Sequence, residues 1–306
     1  MTLNSKIKNA IKALNQRWFY IKNYKKGFSF IFLIPGSIRE KFGENVFFSR
    51  LIKNNKSISI KKDGNYTIVN AGKYNFKFPR GCFYEGDFFD IIYPNLHTKD
   101  DLIDTLVYKN PYYESEGPYE DFGVKLNKGD YVIDAGANIG MFSITASDSV
   151  GQDGKIFSFE PLKDISIVFE ENIKNNMCNN IIIENKLLGD STKEVNLFYN
   201  LEKNFNGAST KIENKNDKVI KLKQITLDDY VKNNGIKKID FIKADIEGAE
   251  RDMLAGAEQV IKKFKPKMAL RTYHLPDDPE VLYNMIKKFV PEYNIIQNKK
   301  TIYAWI

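Results

Sequence analysis

Two short stretches carry the residue types that chemistry needs. In the first, VIDAGANIG (132–140), Asp134 closes a strand candidate, Gly136 opens a turn and Gly140 begins a helix candidate. Glycines there let backbone N–H groups approach a ligand at a helix N-terminus beside a strand edge. Glu160 ends the next strand candidate, where a carboxylate can accept hydrogen bonds from both hydroxyls of a ribose. The pattern is Asp-x-Gly-x-x-x-Gly, without the second closely spaced glycine that seats a pyrophosphate. An acid in that turn repels phosphates and suits a cationic ligand with an amino group. S-adenosylmethionine has a sulfonium, an amino acid end, a ribose and no phosphate, so it is favoured over NAD.

The second stretch, KADIEGAE (243–250), stands where another strand candidate ends and a helix candidate starts. Lys243 and Asp245 share a strand face by the period of two, and Glu247 and Glu250 fall one turn apart. A helix dipole accounts for Glu250. It accounts less well for Asp245, because C-terminal strand ends in open α/β sheets face the ligand crevice. Lys243 either acts with these acids or only pairs with them. His274 is expected to end the fifth strand candidate beside them, where a neutral imidazole is a suitable base for a hydroxyl. The expected catalytic set is His274 as base, with Asp245, Glu247 and Lys243 around it. Asp277 and Asp278 either orient the ring or are loop acids. Asp245, Glu247 and Asp278 are hard oxygen ligands for a divalent metal, though no spacing demands one. Ser209, in GAST (207–210), either touches a ligand or belongs to a plain turn.

The elements that must position these groups alternate. Strand candidates are 131–136, 155–160, 180–188, 238–245 and 266–274, and helix-like stretches are 140–148, 162–176, 226–233, 247–263 and 279–290. Thr226 is the expected N-cap of the third helix. This rhythm predicts an α/β fold with a mostly parallel sheet covered on both faces. The last residues, YNIIQ-NKK-TIYAWI, read as an antiparallel hairpin. Upstream, residues 57–79 read as a small meander in which Tyr74, Phe76 and Phe78 alternate with polar residues. Residues 84–108 are acidic and aromatic and read as helical in part. Residues 5–23 read as an amphipathic basic helix that either packs on its own domain or lies on a membrane surface. The expected division is a cap region over 1–107 and a cofactor domain over 108–306.

Taken together, VIDAGANIGMFSI, FSFEP, ITLDDY, FIKADIEGAE and LRTYHLPDD resemble the FkbM family of S-adenosylmethionine-dependent methyltransferases across about residues 115–306. The resemblance implies a class I (Rossmann-like) methyltransferase sheet of seven strands with the last antiparallel. It implies methyl transfer to oxygen, often on sugars or secondary metabolites. By position it implies that Asp134, Gly136, Ala137, Asn138 and Gly140 line the methionine and ribose part, and that Glu160, followed by Pro161, holds the ribose. Leu188, Gly189 and Asp190 would border the adenine, with Asp190 receiving its exocyclic amine. Glu120 either approaches the methionine end or is a solvated loop acid.

Composition bounds the remaining classes. The chain has 306 residues, 42% hydrophobic and 28% charged, with two cysteines and two histidines. That excludes a disulfide framework and a four-ligand zinc site, and fits a reduced compartment. The longest apolar run, FSFIFLI (28–34), is far short of the roughly 20 residues of a membrane span. A cytoplasmic protein is expected. Residues 1–62 carry +12 of the total +7, so the rest carries −5. Such an arm is either a solvated lysine-rich face or a docking element for lipid headgroups or an anionic, lipid-linked acceptor. The family resemblance and the basic arm together give the expected activity: O-methylation of a hydroxylated acceptor, a sugar of a cell-surface or secreted glycan. N-methylation of a flagellin or glycan amine is one rival, and a non-catalytic binding protein on the same scaffold is another. No Asn-Pro-Pro-Tyr pocket or catalytic-cysteine motif points to nucleic acid.

Overall fold

A computed structural model describes residues 58–79, 91, 118–200, 204–211, 217–298 and 300–306. The described residues from Ile60 onward fall in one compact unit. The helix expected at 5–23, the apolar run 28–34 and most of 84–108 lie outside the described residues.

The elements begin with β1 (Ile58–Asp63), β2 (Tyr66–Ala71), β3 (Tyr74–Pro79), β4 (Tyr131–Ala135), α1 (Met141–Val150), β5 (Lys155–Phe159), α2 (Lys163–Asn175) and β6 (Ile181–Glu184). There follow β7 (Leu187–Leu188), β8 (Lys193–Asn200), β9 (Asn204–Ser209), β10 (Lys218–Ile225), α3 (Leu227–Asn233) and β11 (Phe241–Ala244). The chain closes with α4 (Glu250–Ala255), α5 (Glu258–Phe264), β12 (Lys267–Arg271), α6 (Asp278–Phe289), β13 (Asn294–Asn298) and β14 (Thr301–Trp305).

The main sheet has the order β13-β14-β12-β11-β4-β5-β6. Its strands from β12 to β6 pair in parallel, while β14 runs antiparallel to both β12 and β13. The chain winds outward from β4 through β5 to β6, then returns to β11 on the other side. The switch point therefore lies between β4 and β11, where open α/β sheets bind ligands at the carboxyl strand ends. Val132, Ile156, Phe241 and Ala269 pack with Phe142, Ala146 and Val150 of α1 on one face. Ile133, Ala135, Phe157, Ile242 and Leu270 pack with Leu254, Val260, Leu282 and Ile286 on the other. Covering both faces is why β4 and β11 are buried almost throughout, their charged Asp134 and Lys243 included.

The expected meander is present as the sheet β1-β2-β3, with Tyr74, Phe76 and Phe78 buried. Asn172 of α2 and the C-cap residue Asn176, four residues apart, complete its edge. The Asn172 amide accepts from Lys77 N (2.7 Å) and donates to Lys77 O (3.1 Å). The Asn176 amide accepts from Asn75 N (2.8 Å) and donates to Asn75 O (2.6 Å). Side-chain amides thus stand where a neighbouring strand would, two residues apart on β3 and four apart at the end of α2.

Three expectations are corrected. The stretch 180–188 is two strands: β6 stays in the main sheet, and β7 pairs with β10 in a second sheet ordered β7-β10-β8-β9. The polar Asn185 marks the departure, donating from Nδ2 to Glu160 O at 2.9 Å. The helix read over 247–263 starts at Glu250 and breaks between α4 and α5. There Gly256 O accepts from Asp228 N (2.9 Å), and a Cβ on Gly256 would lie 2.0 Å from Gly189 O. Finally, the fifth parallel strand stops at Arg271, so His274 lies in the loop beyond it.

Candidate active site

The glycine turn after β4 is built by crowding. Gly136 has φ +77, and a Cβ there would sit 1.9 Å from the backbone oxygen of Asp245. Gly140 has φ +88, and a Cβ would strike the Phe169 ring at 1.9 Å. Both requirements are met only by glycine. Between them Gly136 N and Ala137 N donate to Phe159 O, each at 3.0 Å, tying the turn to the end of β5.

Beneath the turn lies a buried charge pair set by strand register. Asp134 of β4 stands opposite Lys243 of β11 and Ser158 of β5. Its Oδ1 pairs with Lys243 Nζ at 2.9 Å, and its Oδ2 accepts from Ser143 Oγ at 2.5 Å. Lys243 Nζ also donates to Ala135 O (3.2 Å) and Gly136 O (2.6 Å). This corrects two expectations. Asp134 does not line the cavity but lies fully buried below it. Lys243 reaches the cavity wall, yet its ammonium is committed to Asp134 and to the turn's carbonyls, so it is a positioning group.

The cavity over the turn has a volume of about 280 Å³. Gly136, Ala137, Asn138, Glu160 and Pro161 line one part of it. Leu187, Leu188 and Ile165 give that part an apolar wall, and Phe78 and Ile91 bring the upstream segment to it. Glu160 accepts from Leu162 N (2.9 Å) and Asn138 N (3.0 Å), one N–H per carboxylate oxygen. Burial pushes its carboxyl up to about 7, against those two N–H groups and Lys243, which pull it down. Asp190, expected at the adenine, is not on the cavity wall. Its Oδ1 takes Lys193 Nζ (2.9 Å), Ser191 Oγ (2.8 Å) and Gln224 Nε2 (3.0 Å), and these donors hold it down at about 2. Gly189 packs on Gln224 and Gly256 instead. Glu120 is likewise turned away, accepting from Leu126 N at 2.9 Å, with burial raising its carboxyl.

At the other end of the cavity stand Asp245, Glu247 and Tyr119. Asp245 Oδ2 accepts from Tyr119 OH at 2.7 Å. The buried Arg271 donates from Nε to the same hydroxyl at 3.2 Å, and its guanidinium lies 4.2 Å from the Tyr119 ring centre. Tyr119 and Arg271 were missed from the sequence. Tyr119 is next to the Glu120 that was chosen, and only the register of β12 puts Arg271 two residues beyond the partner of Lys243. Burial alone would raise the Asp245 carboxyl, but Lys243, Arg271, His274 and the Tyr119 hydroxyl outweigh it and hold it below the ordinary value.

His274 lies behind this pair with only 3% of its side chain exposed. Its Nε2 is 3.5 Å from Asp245 Oδ1 and 3.6 Å from Glu247 Oε2, and its Nδ1 is 3.0 Å from Glu250 Oε1. Burial would lower its pKa, but the three carboxylates dominate and push it up to about 9. In this arrangement the ring is charged at neutral pH, which corrects the expected neutral base. Glu250, fully buried, accepts from Ile246 N (2.8 Å) and Gly248 N (3.1 Å). Glu247 has φ +55, rare for a non-glycine residue, and its carbonyl is held by Ser209 Oγ at 2.6 Å. Ser209 therefore braces the loop that carries Glu247. Asp277 and Asp278 do not orient the ring: both bind Arg251, at 2.8 and 2.5 Å. Asp278 also accepts from Leu275 N at 2.8 Å, which removes it from the expected metal ligands.

A glycine turn after the central strand and a buried acid after the next stand, on this sheet, as in a class I Rossmann-like methyltransferase domain. The family profile described as Methyltransferase FkbM domain matches residues 134–295, and the chain belongs to that family. The family's methyl donor is S-adenosylmethionine, and the residues present fit it. The buried Glu160 carboxylate on the cavity wall would suit a ribose, and Asp245 and Glu247 would suit a cationic ligand better than a pyrophosphate. No curated protein matches the chain. Among solved structures, it is similar to the methyltransferase FkbM from Methylobacillus flagellatus KT, with 20% identity over 60% of this chain and 45% of that one, TM-score 0.46. The chain's match thus spans less than half of that relative. It is also similar to a SAM-dependent O-methyltransferase from Thermotoga maritima, with 12% identity over 57% of this chain and 50% of that one, TM-score 0.35. Fibrillarin from Aeropyrum pernix, with natively bound S-adenosyl-L-methionine, matches at 12% identity over 81% of this chain and 98% of that one, TM-score 0.38. Among the described residues, no helix is long and apolar enough to cross a membrane.

Proposed function

We propose that the chain methylates a hydroxyl of a sugar or glycan-type acceptor, using S-adenosylmethionine. One observation carries the reading: Glu160 and the Asp245–Glu247 pair occupy two parts of one cavity. Glu160 would hold the ribose of S-adenosylmethionine at the first, and the cofactor, when bound, would supply its sulfonium methyl to an acceptor oxygen and leave as S-adenosylhomocysteine. The acceptor's proton passes to a carboxylate facing the cavity, Asp245 or Glu247. Tyr119 and Arg271 fix Asp245 in place. Because the sulfonium is already a good electrophile, holding oxygen and methyl in line supplies much of the rate.

The basic segment 1–62 supports an anionic or lipid-linked acceptor and peripheral contact with the inner membrane face through residues 5–34. Such attraction weakens as salt rises. The test has two parts. Calorimetry should show heat with S-adenosylmethionine and none with NAD; the reverse would end the cofactor reading. Mass spectrometry of surface polymers from a strain lacking the protein should show loss of a methyl on oxygen. Loss of an N-methyl, or no loss, would end the O-methyl glycan reading.

A further inference from the structure

We propose that His274 Nε2 and the carboxylates of Asp245 and Glu247 hold a divalent cation at the acceptor end of the cavity. Glu250 would act behind the ring as its positioning partner. The carboxylates alone would be an unremarked acidic loop; the histidine is what points to a ligand. His274 is almost wholly buried; its Nδ1 stands 3.0 Å from Glu250 Oε1, and its Nε2 makes no hydrogen bond. Nε2 faces Asp245 Oδ1 at 3.5 Å and Glu247 Oε2 at 3.6 Å, too far for good hydrogen bonds. Two atoms each about 2.1 Å from one divalent cation stand roughly 3–3.5 Å apart, which is the spacing observed. Asp245 Oδ1 is also buried without a hydrogen bond, while Oδ2 is held by Tyr119. The orphaned oxygen and the orphaned nitrogen therefore face one another.

Asp245, Glu250 and His274 all have ligand atoms within 4.8 Å of one another. Glu250 is nevertheless placed behind the ring rather than on the cation. Both its oxygens already take backbone N–H groups, and it lies on the Nδ1 side. A histidine that ligates through one nitrogen commonly donates the other N–H to a carboxylate, which fixes the ring and its tautomer. The bound cation takes the place that a proton holds on Nε2. One nitrogen with two carboxylates suits a borderline divalent ion such as Mn²⁺. The position at the cavity's acceptor end adds a consequence that rests on the methyltransferase reading. The cation would take the acceptor hydroxyl as a ligand and ease its deprotonation. It would favour acceptors with a second oxygen beside the first, such as a vicinal diol.

The test titrates Mn²⁺ alone into the full chain, followed by electron paramagnetic resonance. The wild type should bind one ion with nitrogen coupling from a single histidine. Glu250→Gln should weaken binding about 10–100-fold, and His274→Ala should weaken it at least as much. Asp277→Asn, a nearby exposed acid held by Arg251, should leave it unchanged. Each variant's thermal shift with S-adenosylmethionine reports whether it has folded. Absence of Mn²⁺ binding, absence of nitrogen coupling in the wild type, or equal affinity in a folded His274→Ala would overturn the proposal. Failure of the wild type to shift with S-adenosylmethionine would instead sink the cofactor reading, while the Mn²⁺ result would still decide the cation.

Discussion

Replacing Glu160 with glutamine tests the cofactor pocket through its electrostatics. The carboxyl has an ordinary value of 4.5 and is pushed up to about 7, chiefly by burial. Its folded pKa lies above its unfolded one. The folded state therefore binds the proton more tightly, and that contribution to stability is fully present below pH about 4.5. It is lost as pH rises through about 7. The gap corresponds to about 3 kcal/mol. Glutamine does not titrate. It can accept from only one of Leu162 N and Asn138 N, which costs a further 1–3 kcal/mol or so, but that cost does not change with pH. The difference in stability between wild type and Glu160→Gln should therefore shift by about 3 kcal/mol, in favour of the variant, between about pH 4.5 and pH 8. Urea unfolding of both proteins across that range measures it. Ribose hydroxyls donate to the carboxylate form, so S-adenosylmethionine affinity should fall below about pH 7 in the wild type. It should be roughly 10- to 100-fold weaker in the variant. Parallel pH–stability curves for the two proteins would refute the reasoning.

Gly136→Ala should cost about 1–3 kcal/mol from backbone strain and abolish the thermal shift with S-adenosylmethionine, because its Cβ would collide with Asp245 O at 1.9 Å. Gly129→Ala, at φ +82 with nothing within 4 Å, should carry strain alone and keep the shift. Lys243→Met leaves Asp134 buried and unpaired and should cost about 3–5 kcal/mol in urea unfolding. Adding Asp134→Asn should recover part of that loss, and no recovery would show that the pair is not the cause.

Local sequence determined a good deal. Strand–helix alternation, the terminal hairpin, the glycine turn and the position of Glu160 just past a strand end were all legible, because period and turn chemistry are written within a few residues. Thr226 caps α3 as expected, accepting from Asp229 N at 2.9 Å. The second sheet was not legible, because β10 is exposed over most of its length and carries no buried alternation. Tertiary structure decided the roles. Asp134 and Lys243 look like ligand groups in the chain, but register makes them partners beneath the floor. His274 looks like a neutral base, but Asp245, Glu247 and Glu250, distant along the chain, converge on it in space. Arg271 looks like any strand arginine until β12 sets it against Tyr119. Residue type limits what a side chain can do; which charges it faces, and so its protonation and its task, is fixed only when distant strands are brought side by side.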